Sequence, residues 1–456
     1  MAFEDELEQR RAQREAQRQQ RLMEHKKLMF RLGVAGAALV ALAVLIIVMA
    51  LSAPAQPDPT VPTTAPTVEP TTEPTTAPTA EPTAEPSTDP ATDPSTEPPT
   101  EPTAGETSEP TASTPKDMTV IHFAAAGDVN INDATAALDF QLAFRNILPL
   151  LSGADLTAVN FEGNLIGAPY GSASQSAPQE LMTALKACGV DLIQMANSRS
   201  IANGLDGLRT TLSAIRAAGM EPVGAWGTAE EAQRSGGYTI REVNGVRVAI
   251  VAFTKGMDSM ALPVGSESCV NVLYEDYATT YKKVNTKGIT AVLERVAREK
   301  PDITIALVHW GSEFRDQISS TQSSIRRLML ENGVDAIIGT HPHYVQALEF
   351  DKEAGTLVAY SLGDLLSDGE TPGTEYSIVL DLEITKDHIS GETKITSYSY
   401  TPIFNVRWED RQLQVMELQE AIRAYESGYL HRPSKDMYED MLYALTRVEE
   451  RMKPET

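Results

Sequence analysis

The chain is poor in cysteine. Only Cys188 and Cys269 occur among 456 residues, which excludes a C-x-x-C redox pair and any cysteine-built zinc knuckle. One disulfide in an oxidising exterior and two buried free thiols both remain open. Positive charge is scarce as well, with 38 Lys and Arg against 63 Asp and Glu and a formal charge of −25. No basic footprint exists outside the N-terminal segment, which argues against nucleic acid as a partner. The acidic balance offers no general pull on an anionic substrate either, so such a substrate would need a local metal ion or Arg. From Pro54 to Pro115 there is no Lys or Arg at all, and almost no apolar surface to bury.

What stands in that tract is proline at every fourth position, from Pro62, Pro66, Pro70 and Pro74 to Pro102, among Thr, Ala, Glu, Asp and Ser. Residues 52–116 are therefore expected to be an extended, disordered linker. At about 3.1 Å per residue its reach is on the order of 190 Å, enough to hold a domain well away from a membrane. Before it, Leu32 to Leu51 form an uninterrupted apolar run, the length that crosses a bilayer as a helix. Residues 1–31 carry Arg10, Arg11, Arg14, Arg18, Arg21, Lys26, Lys27 and Arg31. Basic residues are retained on the cytoplasmic side, so the expectation is a single-pass cell-membrane anchor with its N-terminus inside and everything after Ser52 outside. A cleaved signal peptide is the alternative, with Ala53-Pro54-Ala55 as small residues near a cut.

Residues 117–401 read as an α/β domain, and residues 402–456 as a C-terminal helical segment of mixed charge. Apolar, β-rich runs alternate with helical stretches at 176–189, 205–218 and 286–299. Later runs at 247–253, 356–361 and 377–384 call for a second, partly antiparallel sheet. Five runs end in polar groups. Thr119 to Ala126 precedes Gly127-Asp128, Ala154 to Val159 precedes Asn160-Phe161-Glu162, and Val190 to Ala196 precedes Asn197-Ser198-Arg199. Ile303 to Val308 precedes His309-Trp310-Gly311, and Val334 to Ile338 precedes Gly339-Thr340-His341-Pro342-His343. Ligands of α/β sheets collect beyond the carboxyl ends of parallel strands. Asp, Glu, Asn and His donors suit one divalent ion of Zn, Mn, Mg or Fe. Singly, each histidine reads equally well as a loop or core residue; jointly they point to a metal or anion site.

These blocks, with Gly204-Leu205-Asp206-Gly207-Leu208, His309-Trp310-Gly311-Ser312-Glu313 and Tyr360-Ser361-Leu362-Gly363, resemble the ordered motifs of the CapA poly-γ-glutamate capsule synthesis family over about Val120 to Leu380. The resemblance implies the calcineurin-like metallophosphoesterase fold, a four-layer α/β/β/α sandwich, and an external domain tethered to the membrane. It assigns metal contacts to Asp128, Glu162, Asn197, His309, His341 and His343. Two positions depart from the family pattern. The family's Asn-Asn-His is Asn197-Ser198-Arg199 here, and a guanidinium cannot coordinate a cation. The family's Ser-Leu-Gly-Asn is Ser361-Leu362-Gly363-Asp364. Arg199 could replace an ion electrostatically, grip a substrate carboxylate or phosphate, or pair with a surface acid.

Three functions follow as expectations. The first is a hydrolase or transferase acting on an anionic cell-envelope polymer such as poly-γ-glutamate, in which His309, Arg199 and Glu313 serve catalysis and Glu313 shuttles a proton. The second is an accessory protein of a capsule-synthesis complex that binds polymer through a degenerate site with no metal. The third is a metal-dependent phosphoesterase, which rests on analogy of fold.

Overall fold

The computed structural model describes residues 117–408, 412–428 and 433–453. The expected cytoplasmic segment 1–31, membrane helix 32–51 and linker 52–116 lie outside the described residues, as does His431. Among the described residues no helix is long and apolar enough to cross a membrane.

Fourteen strands follow in chain order: β1 (Met118–Asn130), β2 (Leu156–Glu162), β3 (Leu192–Gln194), β4 (Glu221–Val223), β5 (Thr239–Val243), β6 (Val246–Thr254), β7 (Ile303–His309), β8 (Ala336–Thr340), β9 (Leu348–Asp351), β10 (Thr356–Ala359), β11 (Asp364–Leu366), β12 (Tyr376–Asp387), β13 (Thr393–Arg407) and β14 (Leu413–Glu417). They form two sheets. The larger runs β14-β13-β12-β1-β2-β3-β4, with β11 also on β1, and the smaller runs β5-β6-β7-β8-β10-β9. β1 to β4 are parallel, as are β6, β7, β8 and β10, while antiparallel strands extend each sheet.

The smaller sheet is apolar on both faces, as parallel strands covered on both sides must be. Val248, Ile250, Ala252, Ile305, Leu307 and Ile338 join Ile121, Phe123 and Ala125 of β1 in one cluster that fills the space between the sheets. The alternate residues Ala249, Val251, Phe253, Ala306 and Val308 pack on Ile289, Val292, Leu293 and Val296 of helix Thr286–Glu299, and on Ile325 and Met329 of helix Ser320–Glu331. The helix at 286–299 shows its origin in sequence: the apolar residues recur at helical spacing, Asn285 caps Gly288 N, and Lys300 ends it with a left-handed φ of 50°. The result is a mixed α/β fold with two sheets.

Three sequence expectations change. The helix expected over 176–189 spans Glu180–Ala187, because Pro178 and the turn before it hold the chain out of helical conformation. The division drawn at 401 falls inside β13, and the C-terminal segment is not wholly helical. Residues Leu413–Glu417 pair with β13 before helices Leu418–Glu426 and Lys435–Arg451 pack on Phe404 and Val406 through Leu418, Ile422, Met441 and Ala444. Cys188 and Cys269 are both free and buried.

Candidate metal centre

The carboxyl ends of β1 and β2 from one sheet and β7 and β8 from the other meet at one place. The β1–β2 register shifts between Ala125 and Asp128, a bulge of the kind that re-aims a side chain beside a site. Gly127 makes this closeness achievable: a Cβ there would lie 1.8 Å from Gly363 O. Asp128 N donates to that same carbonyl at 3.0 Å, which brings Asp364 alongside Asp128 in parallel register. After β8 the chain turns sharply, and His341 and His343 take positive φ values of 91° and 59°. Such backbone is costly for residues with a Cβ and persists where the surroundings impose it.

The side chains interlock. Asp128 accepts from Asn160 Nδ2 at 2.6 Å through one oxygen and from His341 N at 3.0 Å through the other. His343 Nδ1 lies 2.8 Å from Asp364 Oδ1 and 3.4 Å from Asp128 Oδ2. His309 Nδ1 sits 3.1 Å from Thr340 Oγ1, and its Nε2 sits 3.1 Å from Ser198 Oγ and 3.6 Å from Glu162 Oε1. The last distance is too long for a hydrogen bond. Asn197 is spent on its neighbours: its amide donates to Asn160 Oδ1 at 3.0 Å and Phe161 O at 2.7 Å, and its oxygen accepts from Arg199 N at 2.9 Å.

Three buried groups lie close enough to share a cation: Glu162, His341 and His343; Asp128, His343 and Asp364; and Asp128, Glu162 and His309. Buried polar atoms are nearly always satisfied. Here Glu162 Oε1 and both ring nitrogens of His341 have no hydrogen-bond partner. Unused lone pairs converging from hard and borderline donors fit a divalent ion.

The electrostatics agree. Burial drives the His309 imidazole down to about 3. Burial, with the neighbouring His309 ring and the Lys255 ammonium adding to it, likewise holds His341 well below its ordinary value. Both rings are neutral and can offer a lone pair. Burial opposes the charged form of His343, but Asp364 and Asp128 outweigh it and hold the ring well above the ordinary value. Burial pushes Glu162 well up, with the Asp128 charge adding to it, and pushes Asp364 to about 7 against the pull of His343. Burial would raise Asp128 too, yet His343 holds it below the usual range. Two of the three clustered carboxylates, Glu162 and Asp364, thus have a raised affinity for protons, as buried acids beside another negative charge do.

Arg199 and Glu313 stand apart from the buried group. The Arg199 guanidinium pairs with Asp258, and both side chains are partly exposed. Glu313 is exposed at the lip of a cavity of about 360 Å³, which His341, Ser198, Asp258 and Lys255 also line. Sequence reasoning assigned no metal contact to Asp364, Asn160 or Thr340, although each lies in a block that it singled out, and it gave Lys255 no role. Lys255 directly follows β6, so the rule that picked out the polar residues after β1, β2, β7 and β8 would have found it.

A two-sheet α/β fold with a buried His/carboxylate centre at its strand ends defines the class. The chain belongs to the bacterial capsule synthesis protein PGA_cap family, whose model matches residues 122–369, more than half of its length. It is 26% identical over 238 residues to the capsule biosynthesis protein CapA of Bacillus anthracis, covering 49% of this chain and 53% of that one. It is 24% identical over 303 residues to the PGA biosynthesis protein CapA of Bacillus subtilis strain 168, covering 62% and 73%. The chain thus spans about half of the first relative's length and nearly three quarters of the second's. Among solved structures, a novel phosphatase from Mycoplasma pneumoniae is 16% identical with a TM-score of 0.39, covering 63% of this chain and 94% of that one.

Proposed function

We propose that the protein is a metal-dependent hydrolase or transferase that processes an anionic capsule or envelope polymer, such as poly-γ-glutamate, outside the cell. The observation that carries this reading is that both buried ring nitrogens of His341 and Glu162 Oε1 have no hydrogen-bond partner, in two residues that with His343 lie close enough to share a cation. Asp128, Glu162, His309, His341, His343 and Asp364 would hold the ion. A divalent cation there would polarise a scissile carbonyl and acidify a water. The chain's own residues prepare that step. Thr340 and Asn160 address His309 Nδ1 and so orient the ring. Asn197 locks Asn160 in place, which in turn positions Asp128. Glu313, exposed at the cavity lip, is placed to exchange protons with solvent.

The family membership supports the polymer, and the apolar run at 32–51 supports the anchor, with the site carried beyond the linker. Assembly into a capsule-synthesis complex fits the same reading. The second reading, a binding protein without turnover, draws on Arg199 at a position where the family resemblance expects His. Against it, the guanidinium is engaged by Asp258, outside the buried group, rather than by Asp128, Glu162 or Asp364.

Elemental analysis of the full chain, purified in detergent, separates the two. The expected result is about one or more equivalents of divalent transition metal per chain, lost in His341→Ala, together with release of glutamate oligomers from poly-γ-glutamate. Metal-free wild type recovered from metal-replete medium would favour the binding reading.

A further inference from the structure

The cavity in front of His341 contains a cation that the centre itself does not use. Lys255 leaves the end of β6, and its backbone N–H donates to His309 O at 2.7 Å, which fixes it beside the strand that bears a centre residue. Its Nζ donates to Gly311 O at 2.8 Å and lies 5.1 Å from the centroid of the Tyr281 ring. An ammonium has three donors, and among the described residues one acceptor is supplied. Burial lowers its pKa, with Glu313 and Asp258 acting in the other direction, so the group is held half out of water at some cost.

The surrounding charges show what that cost could serve. Asp258 is neutralised by Arg199. Glu313 is exposed, where solvent screens it. His341 is neutral. Lys255 is therefore the cation with donors to spare in a cavity of about 360 Å³ that opens directly onto the candidate centre. That volume takes one small polar unit beside the bond being cleaved. Each unit of a γ-linked glutamate polymer presents a free α-carboxylate, an acceptor matched to an unpaired ammonium.

We propose that Lys255 determines specificity by binding the carboxylate of the polymer unit seated against the metal centre. This deepens the function proposed above and rests on it. The test compares tri-γ-glutamate with its analogue in which the α-carboxylates are primary amides, using the full chain as wild type and as Lys255→Met. Lys255→Gln, whose amide can still donate to Gly311 O, is made in parallel so that a folding defect in one variant does not stand in for a binding effect. The wild type is expected to prefer the carboxylate substrate in kcat/KM. Both variants are expected to lose about tenfold to a hundredfold of that preference, mostly through KM, as the loss of a charge-assisted hydrogen bond implies. An unchanged preference, with both substrates slowed alike, would overturn the proposal. Should the wild type turn over neither substrate, the polymer reading fails while the subsite is still testable by calorimetric titration with glutarate. Binding weakened about tenfold or more in both variants would uphold the anion subsite. Equal binding by variants and wild type, or none by the wild type, would end it.

Discussion

At the scale of the residue, burial of single polar groups governs both the site and its surroundings. Asp335 is an instance outside the centre. Burial pushes its carboxyl from 3.8 to about 6, while its Oδ2 accepts from Thr304 N at 2.7 Å. The folded chain thus keeps a proton that the unfolded chain has released between those values. The contribution of Asp335 to stability is greatest below about pH 4, falls as pH rises toward 6, and stays lower above it, by at most about 3 kcal/mol. Asp335→Asn keeps an oxygen for Thr304 N and has no charge to bury. The variant is expected to melt above the wild type at pH 7.5, with the gap closing by pH 4. A gap of equal size at both pH values would refute this account. Which residues were readable follows the same logic. Asp128, Glu162, His309, His341 and His343 each follow an apolar run within a few residues, so their convergence could be anticipated from strand ends alone. The work of Asn197 could not, because it depends on Asn160 and Phe161 across a neighbouring strand. Likewise nothing local to Arg199 says that Asp258, far along the chain, holds it.

At the scale of the element, periodicity revealed long strands and helices, whereas short ones escaped it. Helices 204–217 and 286–299 and strands β1, β6 and β7 carry enough apolar repeats to be read. β11 has three residues and exists because β1 can approach it, a long-range fact with no local pattern. β14 went unnoticed for a related reason: its alternation is brief and lies before two amphipathic helices whose spacing dominates the segment. Gly127 is where the approach of β11 to β1 can be tested. An added methyl would press on backbone, 1.8 Å from Gly363 O, with no flexible side chain able to yield. Gly127→Ala is expected to cost about 3 kcal/mol or more. It should also part Asp364 from Asp128 and lower metal content, even under conditions where the variant remains folded. Denaturant unfolding and elemental analysis measured together check this; a stable variant with full metal content would show that the β1–β11 contact does not assemble the centre.

At the scale of the whole molecule, the composition divides the chain by what each part can bury. The folded part closes its core with apolar strands covered on both faces. Residues 54–115 offer nothing comparable, and Leu32 to Leu51 offer apolar surface with no polar face to turn to water. A segment of the latter kind is stable across a bilayer, where its backbone bonds are satisfied internally. The basic residues before it would set its direction there. If the anchor is as proposed, the chain sediments with membranes, resists alkaline carbonate and dissolves in detergent. Protease added to cells stripped of their wall would then release a soluble fragment bearing residues 117–456, since a Pro-rich tract with almost no apolar residues to bury would be the accessible place to cut. A tag fused before residue 1 would stay protected until the membrane is opened. Recovery of the intact chain in the soluble fraction would argue for removal of the N-terminal segment, and digestion of the tag in sealed cells would reverse the orientation. The outcome bears on chemistry as well as address. A centre tethered by such a tract, whose upper reach would be on the order of 190 Å, would meet polymer after export, so its substrate would be the finished chain rather than its precursor.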